Sequence, residues 1–432
     1  MTMEKARSRK KLSDFDAVLY RMNGDIERLF TQKCIGMSDD SLSIRRRTNM
    51  KTSILGRTGI KTGIIGLGLE HLEHAPYEEV ALVVEEAVAA GALYMDLFMP
   101  SPNVRDYIGR LMKGRRSQFQ IQGHIGACLK DGQYFRTRDP ATAEQHAEDL
   151  LTRLGTDYVD TLMVHFVDEP DEWAEVSAPG GLLEIAHRWK KEGKARAVGL
   201  SSHKVAASMA AVESGLVDIL MFPVNPAFDL LPGETKLEAL WEQDPYTGIK
   251  EAGNQPVYSR RDLYLSCERH GVAIVSMKTY AAGWMFRPDN PSGIVLSPVQ
   301  CLQYALSQPG VAIVLPGCKT PGQMREALAW LDASDEEKDY SIIMEKTNWA
   351  LKGTCMYCNH CLPCPAGIDI AATTRLFDSA RKETVTPTLA AAYGRLPAVA
   401  SDCIQCGACE ERCPFTVAVQ ANMSEAATLF GK

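Results

Sequence analysis

The chain has 432 residues, 47 of them Lys or Arg and 54 Asp or Glu, which gives a formal net charge of −7. Hydrophobic residues at 45% and charged residues at 23% are the balance of a globular protein and exclude global disorder; the acidic excess excludes a bulk attraction to nucleic acid or to an anionic membrane. No apolar run reaches the roughly 18 residues of a spanning helix, and the basic stretch Met1–Lys11 has no apolar segment behind it of the kind a secretory signal needs, so a cytoplasmic protein is expected.

In chain order, residues 1–49 read as an extension, partly helical. Phe15, Val18, Leu19, Met22, Ile26 and Leu29 fall at helical spacing, Gly24 weakens the pattern, and Arg45, Arg46 and Arg47 suit a solvated linker. From residue 50 to 333 short apolar runs alternate with longer helical patterns. Strands are predicted at Ile64–Leu67, Leu93–Asp96, Phe119–His124, Val159–His165, Ala195–Leu200, Val217–Phe222, Val272–Met277 and Val311–Leu315. Helices are predicted near 77–90, 103–113, 141–154, 181–192, 204–213, 259–270, 298–307 and 321–331. Eight strands each followed by a helix predict a closed (β/α)8 TIM barrel. An open doubly wound sheet would carry G-x-G-x-x-G in its first turn, where this chain reads Gly66-Leu67-Gly68-Leu69-Glu70-His71. The long βα loops at 166–180 and 223–258 are expected at the barrel mouth.

Residues 334–432 read as a connector and a small, mainly helical domain that holds eight of the thirteen cysteines. The runs are Cys355-x-x-Cys358-x-x-Cys361-x-x-Cys364-Pro and Cys403-x-x-Cys406-x-x-Cys409-x-x-x-Cys413-Pro. The second has the spacing of bacterial two-cluster ferredoxins; the first is one residue shorter before its last cysteine. Three thiolates at three-residue spacing can wrap three corners of a cubane, and the fourth corner comes from the other run. One [4Fe-4S] cluster is therefore expected on Cys355, Cys358, Cys361 and Cys413, and a second on Cys403, Cys406, Cys409 and Cys364. Structural zinc is the competing reading, but it usually offers two CxxC knuckles across a long loop, often with histidine. His360, inside the first run, is read as a bystander. A fully thiolate-ligated pair of clusters suits single-electron relay rather than Lewis-acid chemistry.

The barrel segment resembles a known family. Met50-Lys51-x-x-x-Leu55-Gly56-Arg57-Thr58-Gly59-Ile60-Lys61-x-x-x-Ile65-Gly66-Leu67-Gly68, then Gly91–Asp96, Leu200–His203 and Pro316–Pro321, resemble landmarks of the aldo/keto reductases. The whole chain resembles their subgroup with a C-terminal two-cluster ferredoxin-like domain. The resemblance implies Asp, Tyr, Lys and His at the barrel mouth. Asp96 and His165 match; the Tyr position, in the register set by Gly109, falls on Ser101, and the Lys position on His124. A phenol near pKa 10, lowered by Lys, suits protonation of a carbonyl, and a serine does not. That leaves Asp96, His124 and His165 as the catalytic candidates, with a carboxylate expected to favour the imidazolium form of both rings. The same three could instead form a two-histidine, one-carboxylate metal triad.

The resemblance also implies a nicotinamide nucleotide site. Ser201 matches the carboxamide contact and Ser202 stands where Asn is common. The phosphate grip is altered at Gly317, Cys318, Gln323 and Ala327, leaving Lys319 and Arg325 as cations that could hold phosphate. The expected function is an iron–sulfur oxidoreductase, of the kind found in anaerobes. It takes electrons from ferredoxin or another carrier, passes them to a small-molecule substrate or bound cofactor, and uses histidine as proton donor. An NAD(P)H-dependent reductase with histidine replacing the Tyr, and a non-catalytic electron-transfer subunit, are the alternatives. A homo-oligomer is compatible with the sequence.

Overall fold

A computed structural model describes residues 50–235, 259–290, 292–382 and 384–432. The expected helix at 15–30 and most of the second long loop lie outside the described residues.

Eight parallel strands form one sheet: β1 (Leu67–Gly68), β2 (Tyr94–Leu97), β3 (Gln120–Ile125), β4 (Val159–Val164), β5 (Ala195–Ser201), β6 (Ile219–Pro223), β7 (Ala273–Met277) and β8 (Val311–Val314). They neighbour one another in chain order, and two parallel bridges, Ile65 to Val314 and Gly68 to Gly317, bring the last strand back to the first. The barrel is therefore nearly closed. Helices α1 (Tyr77–Ala89), α2 (Pro102–Met112), α3 (Pro140–Leu154), α4 (Leu182–Glu192), α5 (Val205–Glu213), α6 (Ser259–His270), α7 (Pro298–Ser307) and α8 (Pro321–Leu328) alternate with the strands. Local chemistry marks their ends. Pro140 opens α3 behind Asp139, whose carboxylate accepts from Thr142 N, and Gly155 ends it in the left-handed region. Ser297 and Gln300 form a reciprocal cap on α7.

Alternation along the strands builds two apolar zones. Tyr94, Met163, Ala197, Ile219, Val275 and Ile313 fill the barrel interior, together with Leu55 and Ile60 from a hairpin (Thr52–Ile54 with Lys61–Gly63) that the sequence analysis did not anticipate. A second, larger zone lies between strands and helices and continues under the C-terminal segment. At Gly109 in α2 the chains approach so closely that a Cβ would lie 2.2 Å from the Arg153 carbonyl oxygen of α3.

Beyond the barrel, helices at Asp335–Lys338 and Ile343–Leu351 lead to α9 (Ile370–Ala380), α10 (Pro387–Tyr393) and α11 (Val419–Phe430). The segment docks on α6. Arg261 donates to the Cys355 carbonyl (2.9 Å), the Tyr357 hydroxyl (2.6 Å) and the Asp378 carboxylate (2.7 Å). Arg375 pairs with Glu268 at 3.2 Å, and Lys382 with Asp262. Among the described residues no helix is long and apolar enough to cross a membrane.

Candidate active site and cluster sites

At the C-terminal rim of the barrel, β2, β3 and the end of β4 present Asp96, His124 and His165, all buried. They form a line. His124 Nε2 lies 2.8 Å from Asp96 Oδ1, and His124 Nδ1 lies 3.0 Å from His165 Nδ1. Both ring nitrogens of His124 are thus committed to neighbours, so this is not the geometry of a metal triad. Among the described residues no three His, Cys, Asp or Glu side chains gather as a single-ion site. Asp96 Oδ1 also accepts from Gln122 Nε2 at 2.6 Å, and Gln122 Oε1 accepts from Tyr94, whose hydroxyl lies 2.8 Å from Thr161 Oγ1.

The outer end of the line is a residue that the sequence analysis passed over. Tyr134 places its hydroxyl 2.7 Å from His165 Nε2. It sits on a hairpin that follows β3, Ala127–Lys130 paired with Gln133–Arg136, with Leu129 opposite Tyr134. Its two-residue turn is Asp131-Gly132, both at positive φ (55° and 76°). An Asp-Gly dipeptide between alternating apolar residues is a strong hairpin signal, and it was legible in the sequence. Nothing local shows where that hairpin folds.

Burial decides the charge on His165. Desolvation, then the neighbouring His124, Arg136 and Arg138, push its pKa well below the usual histidine value, so His165 is neutral. The expectation that Asp96 would charge both rings therefore fails at His165: the carboxylate touches only His124. Phe98 stacks on His165 with ring centroids 5.3 Å apart and an interplanar angle of 11°. Arg138 donates to the carbonyls of His165 (2.9 Å) and Phe166 (2.7 Å), which fixes the backbone beneath the ring. Burial raises the Tyr134 phenol pKa above its ordinary value, against the nearby Arg136 and Arg138.

Three of the expected nucleotide residues, Ser201, Ser202 and Arg325, have their side chains engaged within the protein. Ser201 Oγ, at the end of β5, accepts from Phe166 N at 2.8 Å. Ser202 is fully buried and lies 3.2 Å from both Asp168 Oδ1 and the Lys204 carbonyl. Arg325, on α8, pairs with Glu86 of α1 at 3.0 Å on an exposed face. Lys319 N donates to Gln323 Oε1 at 2.7 Å, and the His71 imidazole lies where a side chain on Gly317 would be. Ser101, the expected Tyr position, is the residue before α2.

The cysteines gather around two cavities. One is lined by Cys361, Cys364, Cys403, Cys406 and Cys409. The other is lined by Cys355, Cys358, Cys361 and Cys413. Each run therefore sends its last cysteine to the other run's cavity, while Cys361 borders both. Ile368, Ile370, Val419 and Met423 among others give the first cavity an apolar lining, and Ile370, Phe415 and Val417 the second. Sulfur ligands in apolar surroundings fit cubane clusters, which supply one-electron transfer when bound. Arg412 ties the runs together by donating to the carbonyls of Cys361, Leu362 and Pro363. His360 Nε2 faces Asp339 at 3.1 Å. The cavities differ in setting: Cys406 is exposed beside Ile404, which is 66% exposed, whereas Cys355 is held against α6 by Arg261.

The aldo/keto reductase family model matches residues 63–233, and the 4Fe-4S dicluster domain model matches residues 354–418. The chain carries an aldo/keto reductase family domain followed by a 4Fe-4S dicluster domain. Aldo-keto reductase YhdN of Bacillus subtilis is 22% identical, the match covering 69% of this chain and 95% of that protein. The NADH-specific methylglyoxal reductase of Escherichia coli is 21% identical over 52% of this chain and 71% of its own length. In structure, aldo-keto reductase AKR11C1 of Bacillus halodurans aligns with 68% of this chain and 96% of its own, with a TM-score of 0.50 at 18% identity, a likeness of fold. The protein is an aldo/keto reductase-like oxidoreductase with an iron–sulfur domain.

Proposed function

We propose that this aldo/keto reductase-like protein takes single electrons from a ferredoxin-like carrier into its C-terminal domain and delivers them to a small-molecule substrate, or to a bound organic cofactor, at the barrel mouth. His124 and His165 handle the accompanying proton, and Asp96 orients and balances them. One observation carries this reading: two thiol-ringed cavities share a chain with a barrel rim whose polar groups form a hydrogen-bonded line. The cavity with exposed Cys406 suits electron entry from a soluble carrier, and the one against α6 suits exit toward the barrel.

A nicotinamide-dependent reaction, with histidine in place of the Tyr, is the second reading. The name of the Escherichia coli NADH-specific methylglyoxal reductase favours it. The internal engagement of Ser201, Ser202 and Arg325 weighs against it. Titration of the anaerobically prepared holoprotein with NADH and NADPH separates the two: no binding at millimolar concentration supports the carrier-fed reaction, and stoichiometric hydride transfer overturns it. In the carrier-fed reaction His165→Ala abolishes turnover with cluster absorbance intact. Full activity in that variant refutes the proton role, and a barrel that turns over no acceptor at all returns the protein to the role of an electron-transfer subunit.

A further inference from the structure

We infer that Tyr134, brought to the rim by the hairpin after β3, is the group that protonates the substrate, and that the site takes a carbonyl oxygen at that hydroxyl. This deepens the proposed function and rests on it: the histidines become the supply line and Tyr134 its outlet. The phenol that the resemblance places at Ser101 is thus provided by a different element.

The argument begins with hydrogen-bond polarity. Asp96 accepts from Gln122 Nε2 and from His124 Nε2 (2.6 and 2.8 Å), the pattern of an ionised carboxylate. In the state of the line in which His124 carries a single proton, on Nε2, its Nδ1 is an acceptor. The 3.0 Å contact between the two Nδ1 atoms then requires a proton on His165 Nδ1. Neutral His165 is left as an acceptor at Nε2, and the Tyr134 hydroxyl donates to it at 2.7 Å. These tautomers are assigned from the network. Every member is satisfied, and the order is fixed by which atoms touch.

Adding one proton reverses the line. His124 becomes an imidazolium between the Asp96 carboxylate and His165. His165 stays neutral but carries its proton on Nε2, now donating to Tyr134 Oη, and the Tyr134 O–H is freed to point away from the line. A substrate oxygen there receives that proton. His165 Nε2–H replaces it on Tyr134, and His124 Nδ1–H replaces that on His165. The line returns to its first state, one proton poorer. Only Tyr134 among the four is part-exposed, since Asp96, His124 and His165 are 3%, 2% and 5% accessible. A proton that leaves the line for a substrate therefore leaves from Oη. For a carbonyl compound the reaction balances as follows. Two electrons from the carrier and one proton from water form the new C–H bond, the C=O π bond breaks, and Tyr134 supplies the O–H proton.

The supports around the hairpin are those of a positioned donor. Arg136 donates to the Phe166 carbonyl and stacks on the Phe166 ring, Arg138 grips the His165 and Phe166 carbonyls, and both arginines pair with Glu172. The hairpin is thereby tied to the strand end that carries His165.

The test uses the anaerobic holoprotein, reduced methyl viologen as electron donor, and methylglyoxal and acetophenone as carbonyl probes. Tyr134→Phe removes one oxygen atom and keeps the ring. It is expected to lower turnover about 10²–10⁴-fold, the usual worth of a positioned acid, with cluster absorbance and circular dichroism unchanged. A fluorinated tyrosine at position 134, whose phenol is more acidic, is expected to move the basic limb of the pH–rate profile to lower pH, which a merely structural role would not do. Wild-type turnover in Tyr134→Phe, together with loss in His165→Ala, overturns Tyr134 as donor and leaves the proposed function standing. Wild-type turnover in both variants overturns both. No reduction of either probe by the wild-type protein overturns the carbonyl assignment.

Discussion

Replacing Arg261 by Met tests how the cluster-bearing domain is held to the barrel. The side chain leaves α6 and is 12% exposed, and its partner Asp378 is 4% exposed. Met keeps most of the aliphatic volume and removes three donated hydrogen bonds, to the Cys355 carbonyl, Tyr357 Oη and Asp378 Oδ2. Breaking a buried ion pair from one side costs about 3–5 kcal/mol, because the remaining charge stays buried. Here two groups soften the loss. Arg381 still reaches Asp378 Oδ1 at 3.1 Å, but that side chain is half exposed and is worth about 0–1 kcal/mol; Tyr357 still donates to Asp378 at 2.9 Å. The expected net loss is about 3 kcal/mol, at the low end of that range. Urea unfolding of the anaerobic holoprotein, followed by cluster absorbance, should show it. At a slope of about 3 kcal/mol/M, the midpoint falls by about 1 M. Arg261→Lys keeps a point charge without the planar fork and recovers about 1 kcal/mol. A cluster transition in Arg261→Met within about 0.2 M of wild type would refute the view that this contact holds the domain.

Three further outcomes follow from the same geometry. Cys364→Ser should lower iron and sulfide content by about half and leave the same residual spectrum as Cys406→Ser, because Cys364 lines the other run's cavity; a residual spectrum matching that of Cys358→Ser instead would show that the runs do not exchange ligands. His165 is neutral when folded, with a pKa below that of the unfolded chain, so the unfolded state takes up more protons as pH falls below about 6.5. Stability should be flat in this respect above that pH and fall below it by up to about 1.4 kcal/mol per pH unit, and His203, also lowered by burial, adds in the same direction. His165→Gln should flatten the slope, and an equal acid sensitivity in variant and wild type would disprove it. Gly109→Ala should destabilise the barrel by about 3 kcal/mol, since its Cβ would meet backbone rather than a movable side chain; thermal unfolding at the wild-type temperature would contradict the close approach of α2 and α3.

Much of this protein is legible in one dimension. Cysteine runs at three-residue spacing encode their own chemistry, because a cluster needs neighbouring thiolates that one short loop can wrap. Apolar runs of strand length between helical patterns encode the barrel, because each buried strand must be covered by the helix that follows it. The placement of Asp96, His124 and His165 at strand ends follows from that repeat, since strand C-termini share one rim. The order of those three groups is a different matter. That His124 stands between the other two, that His165 is driven neutral and that Tyr134 completes the line all depend on angstrom distances between segments up to 69 residues apart. The Asp131-Gly132 turn announces a hairpin, but only the packing of Arg136 and Arg138 on the end of β4 aims Tyr134 at His165. Local propensity specifies elements; desolvation and hydrogen-bond polarity are properties of the assembled rim, and they determine where its protons reside.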